Sequence, residues 1–297
     1  MKKVGVKAAK KRGKTVDFEK EILYNDIYDY LECAMKFGLP TLVECPDLRA
    51  CAEAAKKYGL DFIEINMSFP QYQTERLTVE ELEALAEEYG IYYTIHADEQ
   101  LNPFDFNSSV SSCYSGIMRE YIRFAKRLPV SVINMHLLKG VYVTQPGMVI
   151  LLSDVYREEY LAGVSAFIKM CEEEIGDTGL RIAIENVDSN PFTASQVAAL
   201  ELFMQSPVFG LTLDVGHDAC LGGADRHIFK RYPDKLLHMH LHDSDGKSAH
   251  LPLGSASVDV GEKLDMLTSG QSCLVEVKTL AGLEESVSYL KKMNFKE

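Results

Sequence analysis

From residue 41 onward the chain alternates short runs rich in β-branched and aromatic residues with longer stretches whose apolar positions recur at three and four. The first pattern is that of buried strands and the second that of amphipathic helices. Strands are expected at TLVEC (41–45), DFIEINM (61–67), IYYTIHA (91–97) and VSVINMH (130–136). Four more are expected at LRIAIEN (180–186), GLTLDV (210–215), LLHMHLH (236–242) and CLVEVK (273–278). Helical periodicity marks LRACAEAAKKYG (48–59), TVEELEALAEEYG (78–90), SGIMREYIRFAKRL (115–128) and DVYREEYLAGVSAFIKMCEEEIG (154–176). VDVGEKLDML (258–267) and LEESVSYLKKM (283–293) close the series. Eight strand–helix units are the count of a closed (β/α)8 TIM barrel, the α/β fold expected over residues 41–297. A doubly wound open sheet is the rival, but no Gly-x-Gly-x-x-Gly follows an early strand and no P-loop motif occurs. Residues 1–40 are expected to form an N-terminal extension. Within it KKVGVKA reads as an extra or first strand and YNDIYDYLECAMKFG as a helix.

Composition narrows the partners. The 297 residues carry a net charge of −13, and residues 1–14 hold seven Lys or Arg and no acid. The remainder therefore sets 24 basic against 44 acidic residues, a balance of −20. A body this acidic repels nucleic-acid phosphates and anionic membranes, so neither is expected as a partner. The seven cysteines include no Cys-x-x-Cys pair, a pattern of reduced thiols that fits the cytoplasm. No apolar run approaches the roughly 20 residues that span a bilayer. A homo-oligomer is left open.

The chemistry-bearing residues fall at the C-terminal ends of the expected strands, where such barrels place their sites. Glu64 lies on the second strand, His96 and His136 end the third and fourth, and Glu185 with Asn186 ends the fifth. Asp214 ends the sixth with His217 just beyond, His240, His242 and Asp243 end the seventh, and Glu276 lies on the eighth. His250 follows in the loop after the seventh strand. In LLHMHLH, alternate residues share a face, so His238, His240 and His242 point one way and Leu237, Met239 and Leu241 the other. Any one of these residues alone reads as a salt-bridged strand end or a core histidine. Together, buried carboxylates converging on one barrel mouth repel each other unless a cation neutralises them. Glu185, Asp214 and Glu276 with imidazoles around them therefore imply a divalent metal.

FIEI, YTIHA, AIEN, LDVGH, HLHD followed by HLPLG, and VEVK occur in that order over roughly residues 41–290. In this ordered series the chain resembles the xylose isomerase-like barrels, which include sugar and sugar phosphate isomerases and epimerases and endonuclease IV. The resemblance implies one metal held by Glu185, Asp214, His240 and Glu276. The donor set suits Mn²⁺, Mg²⁺ or Co²⁺, with Zn²⁺ admissible. It implies that Glu185 and Glu276 work as an acid–base pair on a sugar, sugar phosphate or related hydroxy-carbonyl compound, by way of a metal-stabilised enediolate. His96, His136, His217, His250 and Glu64 would bind substrate or a second, weaker metal. The endonuclease branch offers the alternative of a three-zinc phosphodiesterase acting on abasic DNA. Ser248 stands where that branch carries an aspartate, and Gly254-Ser255-Ala256 replaces its Gly-Glu-Gly. A barrel that binds metal or ligand without catalysis is the third reading, and the intact Glu185/Glu276 pair argues against it. A substrate phosphate, if present, is expected on Gly254–Ser257 and Thr279–Gly282.

Overall fold

The computed structural model describes residues 35–187, 190–268 and 270–295. Eight parallel strands close into a barrel in the order β1-β8-β7-β6-β5-β4-β3-β2. They are β1 Lys36–Pro40, β2 Phe62–Asn66, β3 Tyr92–His96, β4 Val130–His136, β5 Arg181–Glu185, β6 Phe209–Asp214, β7 Leu236–Leu241 and β8 Ser272–Val275. The longer helices are α1 Leu48–Tyr58, α2 Val79–Tyr89, α3 Ser108–Ala125, α4 Arg157–Ile175, α5 Ala194–Phe203 and α6 Leu280–Lys292. No helix among the described residues is long and apolar enough to cross a membrane.

Seven strands lie where the alternation predicts them, and the first does not. β1 is Lys36–Pro40 rather than TLVEC, so it falls inside the segment expected as an extension. The Gly and Pro of Lys-Phe-Gly-Leu-Pro read as turn signals, yet each has a place in this strand. Pro40 is the last residue, where a missing N–H costs the ladder least. At Gly38 a Cβ would stand 2.3 Å from the ring of Phe62, so only glycine lets that buried ring pass beneath the strand. TLVEC instead forms the loop into α1, with Val43 81% exposed. KKVGVKA and most of YNDIYDYLECAMKFG lie outside the described residues, and the last three residues of the latter, Lys36-Phe37-Gly38, are strand.

Local chemistry sets the helix ends. Asp47 accepts a hydrogen bond from the Ala50 N–H to open α1, and Gly59 closes it in the left-handed region at φ 71°. Thr78 and Gly90 do the same for α2. Asn107 caps α3 seven residues ahead of the expected start. α5 escaped the periodicity because its apolar residues fall on all sides, but Thr193 and Gln196 form a full capping box that starts it. The loop after β4 carries an unexpected antiparallel hairpin, Tyr142–Gln145 with Met148–Leu151, turning at Pro146-Gly147.

Barrel interiors of this kind are commonly filled by branched apolar residues. Here Glu64, Thr94, Asn134, Glu185, Thr212, Asp214, His238 and His240 are all at or below 1% exposure. The apolar core lies outside this polar filling, between strands and helices, where Phe203, Phe209, Leu82, Ile95 and Met239 pack. Gly38→Ala is expected to overpack the barrel against Phe62 and to cost about 1–3 kcal/mol. The check is an earlier urea midpoint at unchanged slope; an unaltered midpoint would mean that the Phe62 ring yields freely.

Candidate metal centre

β5, β6 and β7 place Glu185, Asp214 and His240 on the barrel axis, and Glu276 follows β8 directly. Each offers one ligand atom, and those four atoms all lie within 4.8 Å of one another. His240 Nδ1 is 3.0 Å from Glu276 Oε2, 3.2 Å from Glu185 Oε1 and 3.8 Å from Asp214 Oδ2. Neither His240 Nδ1 nor Glu276 Oε2 has a hydrogen-bond partner, although both are buried. Orphaned buried polar atoms facing one point are what a bound cation satisfies. Three carboxylates and an imidazole make an oxygen-rich shell, so the residues present fit a divalent ion.

The backbone holds these ligands in place. Asn186 clamps the end of β6, its Oδ1 accepting from the Asp214 N–H at 2.8 Å and its Nδ2 donating to the Asp214 carbonyl at 2.9 Å. Asp214 Oδ1 caps the short helix Val215–Cys220 by accepting from the His217 N–H at 2.6 Å. His242 Nε2 approaches the same carboxylate at 3.0 Å. That approach requires Gly216, where a Cβ would fall 1.9 Å from the His242 ring.

Six of the remaining histidines sort into three groups, and the seventh, His227, is exposed away from them. His96 and His136 point their Nε2 atoms at Glu185 Oε2, at 3.4 and 3.5 Å, forming a triad with it. The His96 Nδ1–H donates to the Ala97 carbonyl at 2.7 Å, which leaves Nε2 to face the carboxylate. His217, His242 and His250 form a second triad. In this triad the nitrogens of His242 are committed, Nε2 to Asp214 and Nδ1 to the His250 N–H at 2.7 Å. Ser248 is exposed and turned into an Asx turn, its N–H donating to Asp245 Oδ1 at 2.7 Å. Glu64 sits beneath the mouth rather than in it. Its carboxylate lies 3.1 Å from His240 Nε2 and 3.3 Å from His238 Nε2, and accepts from Thr94 Oγ1 at 2.9 Å. Unlike the equally buried Glu185, it does not line the mouth cavity.

Four groups lie outside the expected site, of which the sequence brought only His238 and Asp243 to notice. His238 donates to or accepts from Ser272 Oγ at 2.6 Å. Asn134 Nδ2 donates to Glu185 Oε2. Lys278 Nζ pairs with Glu276 Oε1 at 2.7 Å. Its signal was legible, because Lys278 follows Glu276 by two residues in Val-Glu-Val-Lys and so can share its face. Asp243, the fourth, overturns the expected phosphate site. Its buried carboxylate accepts from the N–H groups of Ser244, Gly254, Ala256 and Val258 at 2.8–3.0 Å. The Gly282 N–H likewise goes to Thr279 Oγ1. All four amides of Gly254–Ser257 are already used by the protein, as are those of Leu280 and Gly282.

Burial alone would raise Glu185, Glu276 and Glu64 and lower His240, His96 and His250, and proximity reverses all but the last. Glu185 is held well below the usual carboxylate range by His240 and His136, and Glu276 by His240 and Lys278. Glu64 is held down by His240 and His238. His240 is raised well above an ordinary imidazole by Glu185, Glu64 and Glu276, and His96 is raised to about 9 by Glu185. His250 is pushed down to about 4 by burial, against the pull of Glu276. Around these groups the mouth is a cavity of about 400 Å³ lined by His96, His136, Glu185, His217, His250 and Glu276 among others.

A sequence model of the xylose isomerase-like TIM barrel matches residues 52–293. Among solved structures, a D-tagatose 3-epimerase-like protein superposes with a TM-score of 0.69 at 23% identity, over 87% of this chain and 96% of that one. The 3-keto-D-glucoside 4-epimerase of E. coli gives 0.68 at 14% identity, over 88% and 100% of the two chains. D-allulose 3-epimerase from Methylomonas sp., in complex with D-allulose, gives 0.67 at 15% identity, over 89% and 98%. At these identities the superpositions show the fold. No curated protein sequence matches the chain.

Two outcomes follow from the geometry at His240. Without a cation, raised His240 and His96 contribute stability that is complete below an unfolded imidazole pKa of about 6.5. The His96 share is lost as pH rises through about 9. The depressed carboxyls contribute above about 4.5, and that share is lost as pH falls. A cation taken up at pH 7 must displace the His240 proton. Binding of Mn²⁺ should thus release roughly one proton or more and tighten as pH rises. Titration calorimetry in buffers of different ionisation enthalpy reads this, and zero release would contradict a protonated His240. Glu64→Gln removes the charge facing His240 Nε2, and should weaken Mn²⁺ affinity by about 10–100-fold in chelator competition. An unchanged affinity would show that the contact is idle.

Proposed function

Because the chain belongs to the xylose isomerase-like TIM barrel family, we propose that it is a divalent-metal-dependent isomerase or epimerase. Its substrate would be a sugar, sugar phosphate or related hydroxy-carbonyl compound. The observation that carries this reading is the convergence of Glu185, Asp214, Glu276 and His240 Nδ1 on one point at the floor of an open mouth. A divalent ion held there supplies Lewis acidity toward a carbonyl and its neighbouring hydroxyl. The protein's own residues supply the proton chemistry.

Glu185 and Glu276 stand three strands apart and both line the mouth cavity, so they flank a bound substrate from different sides. The nearby cationic groups keep both carboxyls ionised, which suits removal of a proton from carbon next to a carbonyl. Withdrawal by one and return by the other inverts the carbon and epimerises it. Return by the same carboxylate at the neighbouring carbon isomerises the sugar. His217 donates its Nδ1–H to the Asn186 carbonyl at 3.0 Å. Its Nε2, with His136, is left to hold substrate hydroxyls.

The phosphodiesterase reading draws on His96, His136 and Glu185, which could take a second ion. It is weakened by the other triad, where Ser248 faces solvent and His242 is tied to Asp214. The committed amides around Asp243 count against a phosphorylated substrate at the expected loops. Glu185→Gln and Glu276→Gln should each abolish exchange of solvent deuterium into a ketose by the Mn²⁺-loaded protein. Near wild-type exchange in either variant would end the two-carboxylate mechanism.

A further inference from the structure

A second cavity of about 340 Å³ adjoins the mouth on the side of the β3 and β4 loops. The two share Gln100, Leu138 and Val187 as a common border. Gln100, Asn102, Asp105, Tyr114 and Lys139 give the second cavity its polar wall. Among the described residues the side chains of Gln100, Asn102, Tyr114 and Lys139 make no hydrogen bond or ion pair. Asp105 spends only Oδ1, accepting from the Asn107 N–H at 2.8 Å. Gln100 is exposed and the other four are half-buried, so their polar groups face the cavity ready to pair with a polar ligand.

The chemistry of the wall selects the ligand. Two primary amides and a carboxylate offer donors and acceptors side by side, the arrangement that neighbouring hydroxyls require. Val110, Leu138, Val187 and the Tyr114 ring provide apolar surface between them. One cation, Lys139, stands against one anion, Asp105, so the wall lacks the excess positive charge that would favour a phosphate. Along its border Gly140 turns with φ 74°, and Gln196 Nε2 donates to the Leu137 carbonyl at 2.6 Å.

We propose that this cavity is a subsite for a second sugar ring, so that the substrate is a glycosylated hydroxy-carbonyl sugar rather than a free monosaccharide. The reacting unit would occupy the mouth above Glu185 and Glu276, and the glycosyl unit would lie over Tyr114 between Asn102 and Asp105. This proposal deepens the isomerase reading and rests on it for the identity of the reacting unit.

The test compares D-fructose and fructose 6-phosphate with turanose, maltulose and isomaltulose, which carry glucose on three different hydroxyls of the same ketose. Solvent deuterium incorporation by the full-length Mn²⁺-loaded protein is followed by mass spectrometry. At least one disaccharide should exceed fructose in kcat/KM by about tenfold, the worth of one or two hydrogen bonds. Asn102→Ala and Tyr114→Ala should each collapse that preference. If fructose or its phosphate is preferred and the substitutions leave the ratios unmoved, the subsite is overturned and the isomerase reading stands. If no sugar exchanges, binding of the reduced disaccharides against sorbitol decides by calorimetry, with and without Mn²⁺. Tighter disaccharide binding that Asn102→Ala abolishes keeps the subsite and overturns the isomerase reading. Equal binding, or none, overturns the subsite.

Discussion

Everything at the mouth of this barrel answers to one imidazole. His240 is fully buried, and its two nitrogens face four carboxylates: Glu185, Asp214 and Glu276 from Nδ1, Glu64 from Nε2. Removing an ionised carboxylate from water costs several kcal/mol even after relaxation, and like charges at this spacing add to it. The fold offsets that cost by bringing a cation or proton donor to each carboxylate. Asn134 serves Glu185, Lys278 serves Glu276, His242 serves Asp214 and Thr94 serves Glu64. What remains unanswered is the pair His240 Nδ1 and Glu276 Oε2, and under the proposed function a divalent cation would answer it.

That constraint explains why the site was largely legible in the sequence. A buried charged residue at the end of a parallel strand has few uses, so Glu185, Asp214 and Glu276 announced themselves by position. His240 did so by alternation. The same alternation placed His238 beside it but did not say that the imidazole face would be dry rather than wet. The face is dry because β7 turns it into the barrel, against Glu64 and Ser272. Glu64 was read as a mouth residue because its strand position resembles that of the others. It lies two residues before the end of β2, so its side chain enters a lower level of the barrel.

The errors in the fold have physical sources too. β1 was missed because Lys36-Phe37-Gly38 was read as the end of a helix, and Gly38 and Pro40 are residues that strands disfavour. Their actual reasons, clearance for Phe62 and a strand end, depend on a neighbour 24 residues away. Helix α5 was invisible to periodicity because it is apolar on all sides, while its capping box was present in the sequence as Thr193 and Gln196. The Gly254–Val258 loop looked like a phosphate cradle for the reason that it is a cradle. The anion it holds is the protein's own Asp243.

The loop after β4 adds an element to the minimal barrel. It runs from β4 through Lys139 and Gly140 into a hairpin whose Tyr142, Val143, Met148 and Val149 are exposed. Barrel enzymes vary their chemistry by loop and keep their strands. Under the proposed function the strand ends converge on a reacting centre that needs only a carbonyl and a hydroxyl. Such a centre would recognise little beyond those two groups. Discrimination among sugars would then come from surfaces outside the candidate metal set, and the uncommitted amides, phenol and ammonium beside the β3 and β4 loops lie in the adjoining cavity.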